Sequence, residues 1–250
     1  MSNARDQHDK RAAHATSRTQ PVPGTPRLLF DVWSRVYDHP VLQWATYRPV
    51  HDAVLASLRR RAPRAVLDLG CGTGQLLQRI VTEYPTVRRL VGCDYSTGML
   101  AHAVTRLRRH GSATLDLVCG DAGRLPFADG TFDTVVCTEA FHWFPDQAAA
   151  LAELHRVLVP GGSLLLAFVN PPVALVGDVA RLGSRLFGAP LTWPTPTALR
   201  RAVERAGFTV TSQRRIFRIP GFLLPPVLTE ASRDARPPES PTGGRTRGEA

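Results

Sequence analysis

The sequence predicts an α/β fold: a doubly wound, mostly parallel sheet with helices on both faces. Three observations predict it. Short apolar runs of strand length alternate with helix-length segments whose apolar residues recur every three or four positions. The first apolar run empties into a glycine-rich turn, and a helical pattern follows at once. The chain has 250 residues, 43% of them hydrophobic, enough for one such domain with polar ends. Sheets of this kind bind ligands beyond the carboxyl ends of their strands. Function is therefore sought in the loops that follow the strands.

In chain order, residues 1–26 are polar and end on Pro21, Pro23, Gly24 and Pro26, the composition of a disordered leader. Residues 28–37 carry Leu29, Val32, Trp33 and Val36 and read as a short helix. Residues 41–60 read as a second, with a stripe of Val54, Leu55 and Leu58. Strands are expected over 65–69, 89–93, 114–119, 131–137, 163–168 and 208–215. Helices are expected after the glycines (Leu76, Leu77, Ile80, Val81), over 98–109, over 147–158, and over 197–206, where Gly207 stops the last. No seventh strand is evident, because 216–228 contains Pro220, Gly221, Pro225 and Pro226, poor material for a strand inside a sheet. The folded unit is expected to span 27–230, with a disordered Pro/Gly/Arg-rich tail over 231–250.

Composition narrows the function classes. No stretch approaches the roughly 18–20 apolar residues of a membrane helix, and the N-terminal charges are not followed by the apolar run of a secretory signal. Cys71, Cys93, Cys119 and Cys137 form no C-x-x-C pair, so they read as reduced thiols of a cytoplasmic protein, with no metal site. The formal charge is +10, with arginines clustered at 59–61 and at 106, 108 and 109. A basic surface can attract nucleic acid or an anionic membrane. No aromatic residues interleave these clusters as a base-stacking platform requires, so they read as solvated faces and nucleic acid is not the expected partner.

The sharpest motif is V-L-D-L-G-C-G-T-G, residues 66–74. Gly70, Cys71 and Gly72 form a turn whose backbone can approach a ligand closely. A dinucleotide fingerprint would place its third glycine at position 75, where Gln75 stands. Asp68, two residues before the first glycine, would repel a pyrophosphate but attract a cationic amino-acid group. Asp94 ends the next strand in V-G-C-D-Y-S and can accept both hydroxyls of a ribose, with Tyr95 placed to pack on an adenine. Asp121 and Ala122 follow the third strand and can meet the adenine amino group and a ring nitrogen. Asp133 reads as structural.

Together these segments resemble the Rossmann-like class I S-adenosylmethionine-dependent methyltransferases, in the subgroup shared with ubiquinone/menaquinone-biosynthesis and trans-aconitate-type enzymes. The resemblance covers about 66–168 well and the preceding helices loosely. It implies that Asp68, Gly70 and Gly72 line the methionine end of S-adenosylmethionine, that Asp94 holds the ribose and that Asp121 and Ala122 contact the adenine. It also implies a sheet ordered 3-2-1-4-5-7-6 with an antiparallel seventh strand, and N-terminal helices that cap the pocket, with Tyr37 reaching toward the cofactor. The implied activity is methyl transfer to a small-molecule acceptor. An RNA or protein methyltransferase, a non-catalytic binding module and a dinucleotide oxidoreductase are the alternatives.

The segment T-E-A-F-H-W-F-P, 138–145, follows the fourth strand, where the methyl group should point. His142 is the first candidate base, because imidazole titrates near neutrality. The competing reading is that it shapes the pocket wall with Phe141, Trp143 and Phe144. Glu139 is a second candidate base. Tyr47 and Trp44 are candidates for the acceptor side, each equally readable as core, and Leu182, Leu186 and Phe187 suggest a lid helix in the insert over 170–196 that also carries Trp193.

Overall fold

A computed structural model describes residues 47–108, 115–171, 178, 182, 191–216 and 226–234. The expected leader, the helix over 28–37, Tyr37 and Trp44, most of the expected lid and the residues after 234 lie outside the described residues.

Seven strands form one sheet: β1 Ala65–Leu69, β2 Arg89–Asp94, β3 Leu115–Cys119, β4 Phe132–Thr138, β5 Leu158–Val169, β6 Phe208–Arg215 and β7 Pro226–Arg233. Their spatial order is β3-β2-β1-β4-β5-β7-β6. The β1–β2, β1–β4, β2–β3 and β4–β5 pairs are parallel, and β7 runs antiparallel to both β5 and β6. The described helices are α1 Arg48–Arg61, α2 Gln75–Glu83, α3 Thr97–Leu107, α4 Gln147–Val157 and α5 Pro196–Arg205.

Alternation along the strands divides the core in two. Leu67, Leu69, Val91, Cys93, Val135, Cys137, Leu164 and Leu166 pack with Leu151 and Leu154 of α4 and Leu199 and Val203 of α5. Val66, Leu90, Val136, Leu165 and Ala167 pack with Val54 and Leu58 of α1, Leu77 and Ile80 of α2, and Ala103 and Leu107 of α3. A sheet covered on both faces needs apolar residues at both parities. That is why these strands read as continuous apolar runs rather than alternating ones. The helix starts are written locally: Ser96 Oγ accepts from Met99 N at 3.2 Å, Asp146 Oδ1 from Ala149 N at 2.9 Å, and Thr195 Oγ1 from Ala198 N at 3.2 Å. The helix that opens α1 begins at Arg48 in the described residues and closes on Ala62 at φ +47°.

The seventh strand corrects the sequence expectation. The prolines that argued against it lie before it, apart from Pro226, which occupies its first position, where a missing N–H is tolerated. The strand itself, P-V-L-T-E-A-S-R, buries Thr229 and Glu230 in its centre. Its polar sequence hides a buried strand because the Glu230 carboxylate is satisfied by α1: Ser57 Oγ donates at 2.8 Å, and Arg61 Nη2 and Arg60 Nη2 pair with it at 2.7 and 3.2 Å. The strand runs through Arg233, so ordered structure extends past the expected boundary at 230.

Candidate active site

The parallel strands β1, β2, β3 and β4 release the chain at one edge of the sheet. The loops there enclose a cavity of about 470 Å³. Gly70, Gly72, Asp94, Tyr95, Asp121, Ala122 and His142 all line it, so seven of the positions singled out in the sequence converge on one space.

The turn after β1 is built by backbone geometry. Gly70 N and Cys71 N both donate to Cys93 O, at 2.7 and 3.2 Å, which ties the turn to the end of β2. Gly70 stands at φ +73°, and a Cβ there would lie 2.3 Å from Ala140 Cβ, so both the conformation and the contact demand glycine. Gly72, at φ +53°, faces open space where a side chain would stand. Its N–H donates to Asp94 Oδ2 at 2.8 Å, and Ser96 N donates to Asp94 Oδ1 at 2.8 Å. Burial pushes the Asp94 carboxyl above its usual range, opposed by the N–H groups of Ser96, Gly72 and Tyr95. Each Asp94 oxygen can accept a further bond from a ligand in the cavity, the geometry a ribose diol requires.

After β3, Asp121 Oδ1 accepts from Gly123 N at 2.8 Å, and Asp121 O from Arg124 N at 3.0 Å, a tight turn that holds Ala122 against the cavity. The loop beyond is pinned from α4. Arg156 donates to Phe127 O and Leu125 O and pairs with Glu153 and Asp129, while Glu153 Oε2 accepts from Leu125 N. Asp133 accepts from Arg64 N and Ala65 N at 2.8 and 3.1 Å and is structural, as expected.

Two expected cofactor residues stand off the cavity wall. Cys71 turns into the core with α2 and α3. Asp68 lies behind the turn, 1% exposed, and neither carboxylate oxygen has a partner among the described residues. Burial, and secondarily the charge of Asp94, push its carboxyl up to about 8. A buried carboxyl with no donor is costly when ionised, so the free protein holds it protonated at neutral pH. Such an orphaned acid group, next to a turn open at Gly72, fits a ligand that brings its own positive charge. Tyr37 lies outside the described residues.

The opposite end of the cavity is aromatic. A single 3₁₀ turn, Phe141–Trp143, follows β4, and Trp143, Phe144, Tyr47, Leu191 and Trp193 face the space. The 191–193 segment is tied to that turn: Thr192 N donates to His142 O at 3.1 Å, and Gln147 Nε2 bridges Phe141 O and Thr192 O at 3.0 and 2.7 Å. The His142 ring stacks on Trp193 with centroids 5.6 Å apart and also approaches Trp143 and Phe168. Its Nδ1 has no partner among the described residues, and burial lowers its pKa to about 3. Glu139 also lines the cavity, at φ +50°, with its carboxyl pushed up to about 8 by burial. No Lys or Arg lines the cavity among the described residues, and no group of three potential metal ligands occurs among them.

Sequence reasoning missed Leu191, Met99 and Ser96 as lining residues. Met99 and Ser96 could have been found, since the first turn of a helix after a ligand-binding strand faces the same edge. Leu191 carries no local signal.

Comparisons with known proteins agree with this geometry. A family model described as "Methyltransferase domain" matches residues 67–166. The demethylmenaquinone methyltransferase of Thermus thermophilus is 37% identical over 170 residues, 60% of this chain and 76% of the relative. A malonyl-[acyl-carrier protein] O-methyltransferase of Methylococcus capsulatus is 38% identical over 171 residues, 66% of this chain and 60% of the relative. Among solved structures, a SAM-dependent methyltransferase from Aquifex aeolicus superposes with a TM-score of 0.64 at 18% identity, over 81% of this chain and 98% of that one, a likeness of fold.

Proposed function

This chain belongs to the class I S-adenosylmethionine-dependent methyltransferases, and from that premise we propose that it methylates a small, flat, largely apolar acceptor that carries no negative charge. The observation that carries this reading is the two-part cavity: carboxylates and open backbone at one end, an aromatic wall at the other, and no Lys or Arg among the described lining residues. Asp94 and Asp121 would hold the nucleoside, and the turn at Gly70 and Gly72 the amino-acid end. S-adenosylmethionine supplies an electrophilic methyl group on a sulfonium that leaves as a neutral thioether. The chain's task is then to bind, to orient and to exclude water.

The aromatic wall supports a flat acceptor, in keeping with the demethylmenaquinone named for one relative. A malonyl acceptor, as named for another, would bring a carboxylate for which the described lining residues offer no cation. RNA would likewise need cationic groups near the site. Burial holds the His142 imidazole neutral and its ring is stacked, so we assign it to the shape of the wall rather than to proton transfer.

Calorimetry tests the cofactor reading. S-adenosylmethionine should bind with one site per chain, and a nicotinamide dinucleotide should not. Binding of the dinucleotide alone would overturn the assignment.

A further inference from the structure

Two non-glycine residues among the described ones hold positive φ, Ala62 and Glu139. Ala62 closes α1, a place where the left-handed conformation is ordinary. Glu139 ends a strand, and nothing in the local fold asks for a glutamate there. Its backbone N–H donates to Ala167 O at 2.9 Å, a bond that glycine or asparagine would make with less strain. Its side chain accepts one long contact, from Val169 N to Oε2 at 3.5 Å. A strained backbone, a carboxyl on a mainly apolar cavity wall and a poor hydrogen bond all disfavour this residue structurally. Strain of this kind persists where function requires it.

Its position says what the function is. Ala140, the next residue, packs against the Gly70 turn, and His142 and Trp143 begin the aromatic wall. Glu139 therefore lines the cavity between the Gly70 turn and the start of the aromatic wall. We infer that Glu139 is the catalytic residue that receives the acceptor's proton, and that it restricts acceptors to those presenting an O–H or an ammonium N–H. This rests on the methyltransferase reading above. In the step, the acceptor's X–H bond breaks and its proton goes to Glu139 Oε1. The lone pair on X forms the bond to the methyl carbon, while the sulfur–methyl bond breaks with its electron pair left on sulfur. A hydroxyl acceptor then leaves neutral ether, neutral thioether and a neutral Glu139, which loses its proton to solvent when product departs. An acceptor carboxylate has no proton to give, and it would meet like charge in the ionised form of Glu139 that the step uses. Burial raises the Glu139 carboxyl to about 8, so the step draws on its ionised form, the minor one at neutral pH, and that form grows as pH rises toward 8.

Three flat probes of one shape separate the possibilities: 2-naphthol, 2-naphthylmethylamine and 2-naphthoate, titrated into protein saturated with S-adenosylhomocysteine. The wild type should bind the naphthol or the amine, whichever class it serves, and not the naphthoate. Glu139→Gln should weaken that binding about tenfold or more, keep its affinity for S-adenosylhomocysteine and melt no lower than the wild type. Equal binding of naphthol or amine by the variant, or equal binding of naphthoate by the wild type, overturns the proposal. So does a wild type that takes none of the three. A drop in melting temperature matched by loss of S-adenosylhomocysteine marks Glu139 as structural and overturns it too. A wild type that does not bind S-adenosylhomocysteine instead removes the methyltransferase reading beneath it.

Discussion

The two ends of the cavity satisfy their polar groups in opposite ways. At the nucleoside end, the Asp94 oxygens each take a backbone N–H, from Gly72 and Ser96, and Asp121 takes one from Gly123. Those carboxylates are oriented before any ligand arrives, an arrangement that lowers the cost of binding. At the acceptor end, His142 Nδ1 and Trp193 Nε1 are buried without partners among the described residues, and Glu139 has only its long contact to Val169. Each end is thereby suited to a different partner. A nucleoside is met by fixed backbone geometry, whereas the acceptor end keeps polar groups unspent inside apolar walls.

Breaking the nucleoside end should have the largest effects. Gly70→Ala forces a Cβ into Ala140 and an unfavourable φ, and should lower unfolding free energy by about 3 kcal/mol, read by denaturant titration. Asp94→Ala removes an acceptor from both Gly72 N and Ser96 N as well as from the ligand. It should weaken S-adenosylmethionine binding on the order of 100-fold by calorimetry. At the other end, Trp143→Ala should leave that affinity within roughly threefold, while acceptor-shaped probes such as 2-naphthol bind about tenfold more weakly. Similar losses for both ligands would erase the distinction between the two ends.

A smaller effect lies in pH. Burial raises the carboxyls of Asp68 and Glu139 to about 8 from their ordinary values of 3.8 and 4.5, so the native state keeps protons that the unfolded chain has lost. Stability therefore falls as pH rises from about 4 to about 8. His51 and His142 act oppositely. Burial holds them at about 4 and about 3 against 6.5, so they cost stability as pH falls below 6.5. Above 6.5 the histidines drop out, and thermal melting of the ligand-free protein should decline between pH 6.5 and 8. Asp68→Asn should flatten part of that decline. A wild type that gains stability across this range would contradict the two raised carboxyls.

The nucleoside end was legible in the sequence because its parts are local. Asp94, Ser96 and the glycines sit within a few residues of strand ends, and the chemistry of each is fixed by that place. The acceptor end was only half legible. His142 and Trp143 could be singled out, but Leu191 and Trp193 return from some 50 residues later, held by Gln147 and Thr192 through contacts that no short pattern encodes. Asp68 could be singled out from its place before the glycines as a residue for the cofactor's amino-acid end, yet its place behind the turn rather than on the cavity wall depends on packing. The seventh strand was hidden because its buried Glu230 is made tolerable by arginines on α1, more than 160 residues away in the chain.

Asp68, buried behind the Gly70 turn with no donor among the described residues, should ionise when the positively charged amino-acid end of S-adenosylmethionine reaches that turn. Calorimetry of S-adenosylmethionine binding near pH 7, repeated in buffers of different ionisation enthalpy, measures the protons exchanged. Net release of about one proton is expected, and it should disappear in Asp68→Asn, since an arriving positive charge should ionise a carboxyl held near 8. Binding with no proton release, or with the same release in Asp68→Asn, would contradict it.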